Sequence, residues 1–506
     1  MPGKLSVRIR MYRQGLGDCF LLTFMRQGKD DFNMMLDCGL LQRTTNGRAI
    51  MRTVVQNIEA TLSVQKEIDG AAKKWLDVVV LTHQHADHIS GFSQAQDIFD
   101  RIHFGEVWTS WLDNKQHPKY EAVRERFHKQ VTGLTSAMAK MVSPEQAELK
   151  SMIDGLLNDF FDGQTLGAKE DGRSAPWDYA LNKSVGNAKY WSPGQSFMLD
   201  ATNDVRIYIL GPPEDYESFT RVNPPPDETY RSEGNAFAVA DSFFAAVAGQ
   251  DGLFEGELCQ PFETHLRVAP QGARKKAFFR THYGFQHRAD NKWRRIDDDW
   301  LMMAGGLALN LDSYTNNTCL AFAIEFVRSK KVLLFPGDAQ FANWISWKKL
   351  AWDVSDDGSA KQKVTTKDLL KRTVFYKVGH HGSHNATLKK DGLELMSHPD
   401  LIAMIPVDRD QAKQQGRKQK KGSNWTTVPE KQGWEMPERN LFDRLKERTR
   451  GRVLLADEGD TAKLKDRCKD DKFVKSVAFE SPGTLVKATK APSTAEPLYV
   501  EIIIED

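Results

Sequence analysis

The sequence predicts an α/β protein in which one sheet-containing domain is interrupted by two insertions. Short apolar, β-branched runs recur near both ends of the chain and predict buried strands. Good helix formers with helical spacing of apolar residues dominate 114–161, and a Pro-rich, less regular region begins near 223. With 506 residues, the chain is long enough to bury a large core.

These changes of pattern divide the chain into five parts. The strand run Arg206-Ile207-Tyr208-Ile209-Leu210 marks a return to the sheet between the two insertions. The predicted parts are the first half of the sheet domain at 1–113, a helical insertion at 114–195, a return strand at 196–215, an irregular or helical insertion and candidate lid at 216–306, and the second half at 307–506, which includes a basic loop at 411–431.

The strand Val78-Val79-Val80 leads into a loop that concentrates potential metal ligands. His83 and His85 are spaced to project to one side, whereas Asp87 and His88 lie beyond the turn and can reach a second ion. The spacing therefore predicts two adjacent metal sites at a strand end. The alternative is a solvated loop between a strand and a helix, but four ligand types in this short stretch favour metal binding.

Two later segments and one earlier segment complete a pattern. Asp37 ends the run Met35-Leu36, Asp338 follows Leu333-Leu334-Phe335-Pro336-Gly337, and His380 begins the segment His-His-Gly-Ser. In this order the segments resemble the motifs of the metallo-β-lactamase superfamily. The resemblance implies an αβ/βα sandwich with two insertions, in which Asp338 bridges two ions, His380 is a further ligand and Asp37 orients the metal-binding loop.

The segment Gly15-Leu16-Gly17-Asp18 narrows the resemblance to the metallo-hydrolase domain of ComEC-type DNA-uptake proteins, and we place Asp18 with Asp37 as a supporting residue. The chain departs from the superfamily because no further histidine stands in an apolar strand context between His88 and Asp338. The histidines in that interval are at positions 103, 117, 128, 265, 282 and 287, and we interpret them as surface or core residues.

The resemblance implies two divalent metal ions, with zinc preferred and manganese as the alternative. Such a pair would activate a shared hydroxide and neutralise the oxygens of a phosphate or carbonyl. Asp87 is the candidate proton acceptor. The candidate donors to a leaving group are His381, Ser383 and His384, although His381 and His384 could instead only shape their loop.

Net charge, apolar content and cysteine number limit the functions and the location that can be expected. The formal net charge of +2 gives no global argument for nucleic-acid binding. We find no apolar run that could span a membrane and no signal-peptide core, so we expect a cytoplasmic protein without a membrane partner. The five cysteines are an odd number without metal-ligand spacing and are interpreted as free thiols.

The local charge distribution is less even. The 411–431 stretch contains Lys418, Lys420, Lys421 and Trp425, which could guide a phosphate backbone and stack a base. A solvated linker is the alternative. A second stretch, 274–295, alternates rings with cations and predicts either packing against the sandwich or contact with a substrate.

The sequence therefore leaves three functions open. The first is a phosphodiesterase that acts on nucleic acid or nucleotides through a dimetal-activated hydroxide. The second is a small-molecule ester or amide hydrolase, such as a phosphorylcholine esterase or a lactonase. The third is a metal-stabilised binding or regulatory module without turnover, for which the missing histidine is the main support.

Overall fold

A computed structural model describes most of the chain. The described ranges are 5–141 with gaps at 43 and 69, 174–215 with gaps at 187 and 201, 270–283, 313–415 with a gap at 357–359, 418–421, 424–427, 433–480 and 496–506, together with isolated residues within 147–154 and 218–230 and at 268 and 308.

The described strands, in chain order, are β1 (Ser6–Tyr12), β2 (Phe20–Met25), β3 (Phe32–Leu36), β4 (Gln65–Ile68), β5 (Ala71–Val80), β6 (Ile102–Ser110), β7 (Ala188–Trp191), β8 (Ser196–Met198), β9 (Val205–Gly211), β10 (Ala321–Phe326), β11 (Val332–Phe335), β12 (Ala351–Val354), β13 (Gln362–Thr365), β14 (Thr373–Lys377), β15 (Ile402–Ile405), β16 (Lys418–Lys421), β17 (Asn424–Thr427), β18 (Val453–Leu455), β19 (Ala478–Glu480) and β20 (Tyr499–Glu505).

The described helices are α1 (Gly47–Thr61), α2 (Ala86–Ile89), α3 (Gly91–Gln94), α4 (Gln96–Phe99), α5 (Tyr120–Lys140), α6 (Ala175–Asn182), α7 (Pro270–Lys275), α8 (Ala277–Tyr283), α9 (Phe341–Trp347), α10 (Thr366–Lys371), α11 (Arg409–Gln414), α12 (Arg439–Arg448), α13 (Ala462–Arg467) and α14 (Asp471–Ser476). Short 3-10 turns lie at Trp111–Asp113, Gly379–Gly382 and Leu393–Leu395.

Two large mixed sheets form the centre of the molecule. The first follows the order β19–β20–β1–β2–β3–β5–β6–β7, with β4 paired to β5, and its strands β3, β5, β6 and β7 are parallel. The second follows the order β18–β15–β14–β11–β10–β9–β8, and its strands β11, β14, β15 and β18 are parallel. The α/β class predicted from the sequence is confirmed.

The two sheets pack face to face and carry helices on their outer faces. Apolar side chains alternate along the strands, so one set from each sheet meets in a shared core that includes Ile9, Leu22, Ile207, Phe322 and Phe335. The opposite face of the first sheet packs against α1, and the opposite face of the second sheet packs against α9, α10 and α12. The core therefore has four layers, in the order helix, sheet, sheet, helix.

The insertions are described in part. Helix α5 lies within the first predicted insertion, as the sequence pattern indicates, and α7 and α8 lie within the second. The predicted boundary of the first insertion, 114–195, is corrected, because α6 and β7 also lie within it and β7 pairs with β6 in the first sheet. Most of the rest of the second insertion falls outside the described residues. Within the part of the chain that the structure covers, no helix has the length and apolar character needed to cross a membrane.

The predicted basic loop at 411–431 needs a correction. Its described residues form the end of α11 and the antiparallel pair β16–β17, in which Lys420 is opposite Trp425. The sequence interpretation relied on charge and glycine content and overlooked Thr426 and Thr427, whose β-branched side chains favour a strand.

Candidate metal centre

The candidate site lies where parallel strands of both sheets end. Asp37 follows β3 and the histidine loop follows β5, both in the first sheet. Asp338 follows β11 and the paired histidines follow β14, both in the second sheet. Because parallel strands end at the same edge of a sheet, and the two sheets pack together, these loops converge.

The histidine loop is held against two glycines. Gly17 has φ +150°, and a Cβ at this position would lie 2.6 Å from the carbonyl oxygen of Asp87. A Cβ on Gly39 would lie 2.5 Å from the backbone nitrogen of His88. Only glycine permits this approach, so the glycines near Asp18 and Asp37 bring the backbone of those segments against the ligand loop.

Four side-chain atoms converge on one point. His88 Nε2 lies 3.0 Å from Asp338 Oδ2 and 3.8 Å from Asp87 Oδ2. His381 Nε2 lies 2.9 Å from Asp87 Oδ2 and 3.8 Å from Asp338 Oδ2. A tetrahedral zinc ion with bonds of about 2.0 Å separates its ligand atoms by about 3.3 Å, which falls within this spread. All four residues are buried.

Asp18 belongs to the same buried group, since one ligand atom from each of Asp18, His88, Asp338 and His381 can be chosen so that all four lie within 4.8 Å of one another. Asp18 lies near the Nδ1 atoms of both rings, 3.9 Å from His88 Nδ1 and 3.6 Å from His381 Nδ1. These Nδ1 atoms have closer partners: His88 Nδ1 lies 2.7 Å from Asp37 Oδ2, and His381 Nδ1 lies 2.8 Å from the carbonyl oxygen of Pro406. The Nε2 atoms of both rings remain for a metal, and these face Asp87 and Asp338.

The paired histidines differ in their hydrogen bonds. Because the Pro406 carbonyl can only accept, His381 Nδ1 carries a proton, and Nε2, which faces Asp87, is the nitrogen that a neutral His381 ring would offer to a metal. His380 Nδ1 lies 3.2 Å from the amide nitrogen of Gln340, which can only donate, so the proton of neutral His380 is on Nε2. The hydrogen bonds therefore favour His381 as the ligand, whereas the sequence interpretation favoured His380.

Backbone strain is concentrated at the same positions. His380 has φ 44° and His381 has φ 51°, and Asp37 at the opposite side of the site also has φ 51°. A residue other than glycine in this left-handed backbone conformation costs about 1–2 kcal/mol of stability. The surrounding packing imposes these conformations, which turn both imidazoles of the pair into the buried site.

Burial controls the protonation of three histidines. It lowers the pKa of His83 well below the ordinary value, that of His85 to about 3 and that of His380 to about 4. These rings are neutral at physiological pH, which is the form that binds metal.

His88 behaves in the opposite way. Burial opposes its charge, but Asp338, Asp18, Asp37 and Asp87 together outweigh burial and raise its pKa well above the ordinary value. The acidic cluster thus favours a cation at this point.

The residues fit a divalent ion. Three buried atoms of the site have no hydrogen-bond partner: His83 Nε2, Asp87 Oδ1 and Asp18 Oδ1. Leaving such atoms unsatisfied costs about 1–3 kcal/mol each, and a metal is one partner that satisfies them. The imidazole and carboxylate donors suit zinc, and they also suit manganese.

Sequence reasoning missed a buried cation in this cluster. Lys377, the last residue of β14, is 2% exposed, and its ammonium contacts Asp18 and Asp338. From the sequence, this lysine is assigned no role. The available signal was the charge itself, because a lysine at the end of a buried strand must find a partner.

The remaining predicted residues are placed as follows. The hydroxyl of Ser383 donates to Asn385 Oδ1 at 3.0 Å, and the amide of Asn385 donates to Gln340 Oε1 at 2.9 Å, so Ser383 supports the group that holds His380. The His384 backbone oxygen accepts from Thr229 Oγ1 at 3.4 Å. The side chains of Lys418, Lys420, Lys421 and Trp425 lie outside the described residues, and their role as substrate contacts stays a prediction.

Both carboxylate oxygens of Asp37 accept hydrogen bonds from the ligand loop. Its Oδ1 accepts from the backbone nitrogen of Thr82 at 2.8 Å, and its Oδ2 accepts from Thr82 Oγ1 at 2.7 Å and faces His88 Nδ1. These contacts orient the His88 ring with Nε2 toward Asp338. Orientation of the loop without metal contact, the role inferred from the sequence, stays a prediction.

We expect Asp37→Asn to lower metal affinity by about 10- to 100-fold, because the amide cannot accept from both Thr82 and His88 and the ring loses its fixed orientation. Titration with zinc after removal of metal would measure the change. Asp204→Asn, which alters a carboxylate paired with Arg26, is the control. An Asp37→Asn protein with unchanged affinity would contradict the orienting role.

No protein-family model matches the chain, and no curated protein matches it.

Proposed function

We propose that this protein is a metal-dependent hydrolase of the metallo-β-lactamase type, acting on phosphodiester bonds of nucleic acid or nucleotides. The observation that carries the proposal is the buried group formed by Asp87, His88, Asp338 and His381, with His83 and His85 beside it, at the edge where strands of both packed sheets end. The order of layers and the positions of the four loop motifs support the metallo-β-lactamase sandwich and one catalytic domain with two insertions.

One or two divalent ions held by these residues would lower the pKa of an attacking water and neutralise the charge of the phosphate. His83, His85, His88 and His381 would hold such ions through neutral ring nitrogens. Asp87 has one oxygen toward His381 and a second oxygen without a hydrogen-bond partner, which suits both ligation and acceptance of a proton. His380 carries its proton on Nε2, so the neutral ring could donate a hydrogen bond to the leaving oxygen.

A surface in the second insertion supports a polyanionic substrate. The rings of Phe278, Phe279, His282 and Tyr283 form a connected array in α8, with centroids 4.7–5.6 Å apart. Helix α8 buries none of its residues, and the Phe278 side chain is 60% exposed. The sequence interpretation of these rings as packing against the sandwich is therefore not supported for α8.

Cations lie among these rings. Lys275, Lys276 and Arg280 are exposed, and the range 270–283 contains neither aspartate nor glutamate. Rings that can stack on bases, interleaved with cations that can contact phosphates, are typical of surfaces that bind single-stranded nucleic acid. The sequence of β16 and β17 also combines lysines with a tryptophan, at Lys418, Lys420, Lys421 and Trp425.

The activity is tested by removing metal with a chelator, restoring zinc or manganese, and assaying bis-p-nitrophenyl phosphate, single-stranded DNA, RNA and cyclic nucleotides. We expect metal-dependent cleavage of a diester. A phosphorylcholine ester and a lactone are included, because turnover of these alone would favour the small-molecule hydrolase. Metal binding without turnover of any substrate would favour the non-catalytic module.

The substrate class is tested by replacing Lys275, Lys276 and Arg280 with Gln. We expect weaker binding to single-stranded DNA in a chelator and a slope of log affinity against log salt that is smaller by about 2, since each lost phosphate contact removes about 0.7. Cleavage of the small diester should be retained. The matched control replaces Lys463, Lys465 and Lys472, which are also exposed. An equal effect of both triple variants would contradict a specific surface.

A further inference from the structure

Lys377 occupies a closed site of its own inside the metal centre. Its ammonium has three hydrogens, and three acceptors surround it: a carboxylate oxygen of Asp18, Asp338 Oδ1 at 3.1 Å and the carbonyl oxygen of Gly337 at 2.9 Å. The side chain is 3% exposed, so water does not screen this charge. The ammonium is therefore fully satisfied by acceptors that belong to the site itself.

The two carboxylate oxygens of Asp338 have different partners. Oδ1 accepts from Lys377 Nζ and also from the backbone nitrogen of His380 at 3.1 Å, so its lone pairs are occupied. Oδ2 faces His88 Nε2 at 3.0 Å. Oδ2 is therefore the Asp338 oxygen that would be left to hold an ion in the cluster.

The charges decide what the lysine does in the absence of metal. Asp18 and Asp338 are both buried, at 2% and 1% exposure. Two such carboxylates without a cation would repel each other and be poorly solvated. Lys377 supplies a cation to both carboxylates, in addition to the charge that they favour on His88. The carboxylate pair explains why the pKa of Lys377 lies above the ordinary value although burial lowers it.

We propose that Lys377 is a built-in counter-cation of this centre: it holds Asp18 and Asp338 in place when no metal is bound, and by the same charge it weakens the binding of a metal. The inference rests on the metal centre of the proposed function and does not depend on turnover. It predicts a site that stays organised without metal and exchanges its metal readily.

The test replaces Lys377 with Met, which keeps the length of the side chain and removes its charge. In chelator, we expect the melting temperature to fall by on the order of 5 °C or more, because the two carboxylates lose their partner. The increase in melting temperature on adding zinc or manganese should become larger than in the unmodified protein. Calorimetric titration should show a metal Kd lower by about tenfold or more.

Two further proteins make the result decisive. Asp18→Asn combined with Lys377→Met removes one charge of each sign, so it should fold even where the single variant does not, and it should bind metal more tightly than Asp18→Asn alone. Lys183→Met is the matched control. Lys183 lies 3.8 Å from Asp100 and away from the metal centre, so this substitution should leave metal binding unchanged.

A parallel fall of the melting temperatures with and without metal would reduce Lys377 to a structural residue and overturn the proposal. Folded Lys377→Met protein with weaker metal binding would also overturn it, because the lysine would then only position Asp338. If the unmodified protein binds no zinc or manganese, the metal centre itself is wrong. If it binds metal but cleaves nothing, the hydrolase assignment fails while the counter-cation remains measurable.

Discussion

Asp338→Asn is expected to remove most metal binding and all measurable metal-dependent hydrolysis while leaving the chain folded. The amide keeps an oxygen that can accept from Lys377 and from the His380 backbone, as Asp338 Oδ1 does in the unmodified protein. It loses the negative charge opposite His88 and His381. Residues one step outside a ligand set change metal affinity by 10- to 100-fold, so loss of a carboxylate inside it should weaken binding by more than about 100-fold.

The measurement is metal content after dialysis, paired with a melting curve in chelator. Asp204→Asn is the control, because Asp204 precedes β9 at the edge opposite to the site and pairs with Arg26. Asp338→Asn protein that is folded and retains a full complement of metal would show that Asp338 is not a ligand. The Asp87–His381 pair would then have to be reconsidered as the centre of an acid–base site without metal.

The parts of the site that follow strands could be predicted from the sequence. His83 to His88, Asp338 and the paired histidines each come directly after a β-branched or apolar run, and the ends of such runs are where parallel strands expose their loops. The α/β class follows from the same runs. The local sequence pattern was sufficient to predict these positions, because each motif follows directly after the strand that positions it.

Pairing between distant segments could not be predicted in the same way. Lys377 has an ordinary position at the end of a strand, and only the approach of the β1–β2 loop, which brings Asp18 to it, makes it a buried ion pair. Gln340 and Pro406 decide the tautomers of the paired histidines from loops after two other strands. These contacts depend on how the two sheets pack, which the periodicity of one segment does not contain.

The second large effect is expected from the histidine of the pair that binds metal, which we infer to be His381 and not His380. His381→Ala should weaken metal binding by more than about 100-fold, because His381 Nε2 faces Asp87 and its Nδ1 is fixed by Pro406. His380→Ala should retain metal, with a change below about tenfold, because the Gln340 amide leaves the proton of His380 on Nε2. Metal titration of the two purified variants separates these outcomes.

Measurements of cleavage rates should also distinguish the role of His380 from that of His381. If neutral His380 donates a hydrogen bond from Nε2 to the leaving oxygen, His380→Ala should lower cleavage of a nucleotide diester by about 10²- to 10³-fold. It should affect bis-p-nitrophenyl phosphate much less, since p-nitrophenolate departs without a proton. His398→Ala, a partly exposed histidine in the segment before β15, is the control. The reverse pattern, in which His380→Ala loses metal and His381→Ala keeps it, would restore the ligand assignment made from the sequence and would require the Gln340 amide to turn its oxygen toward His380.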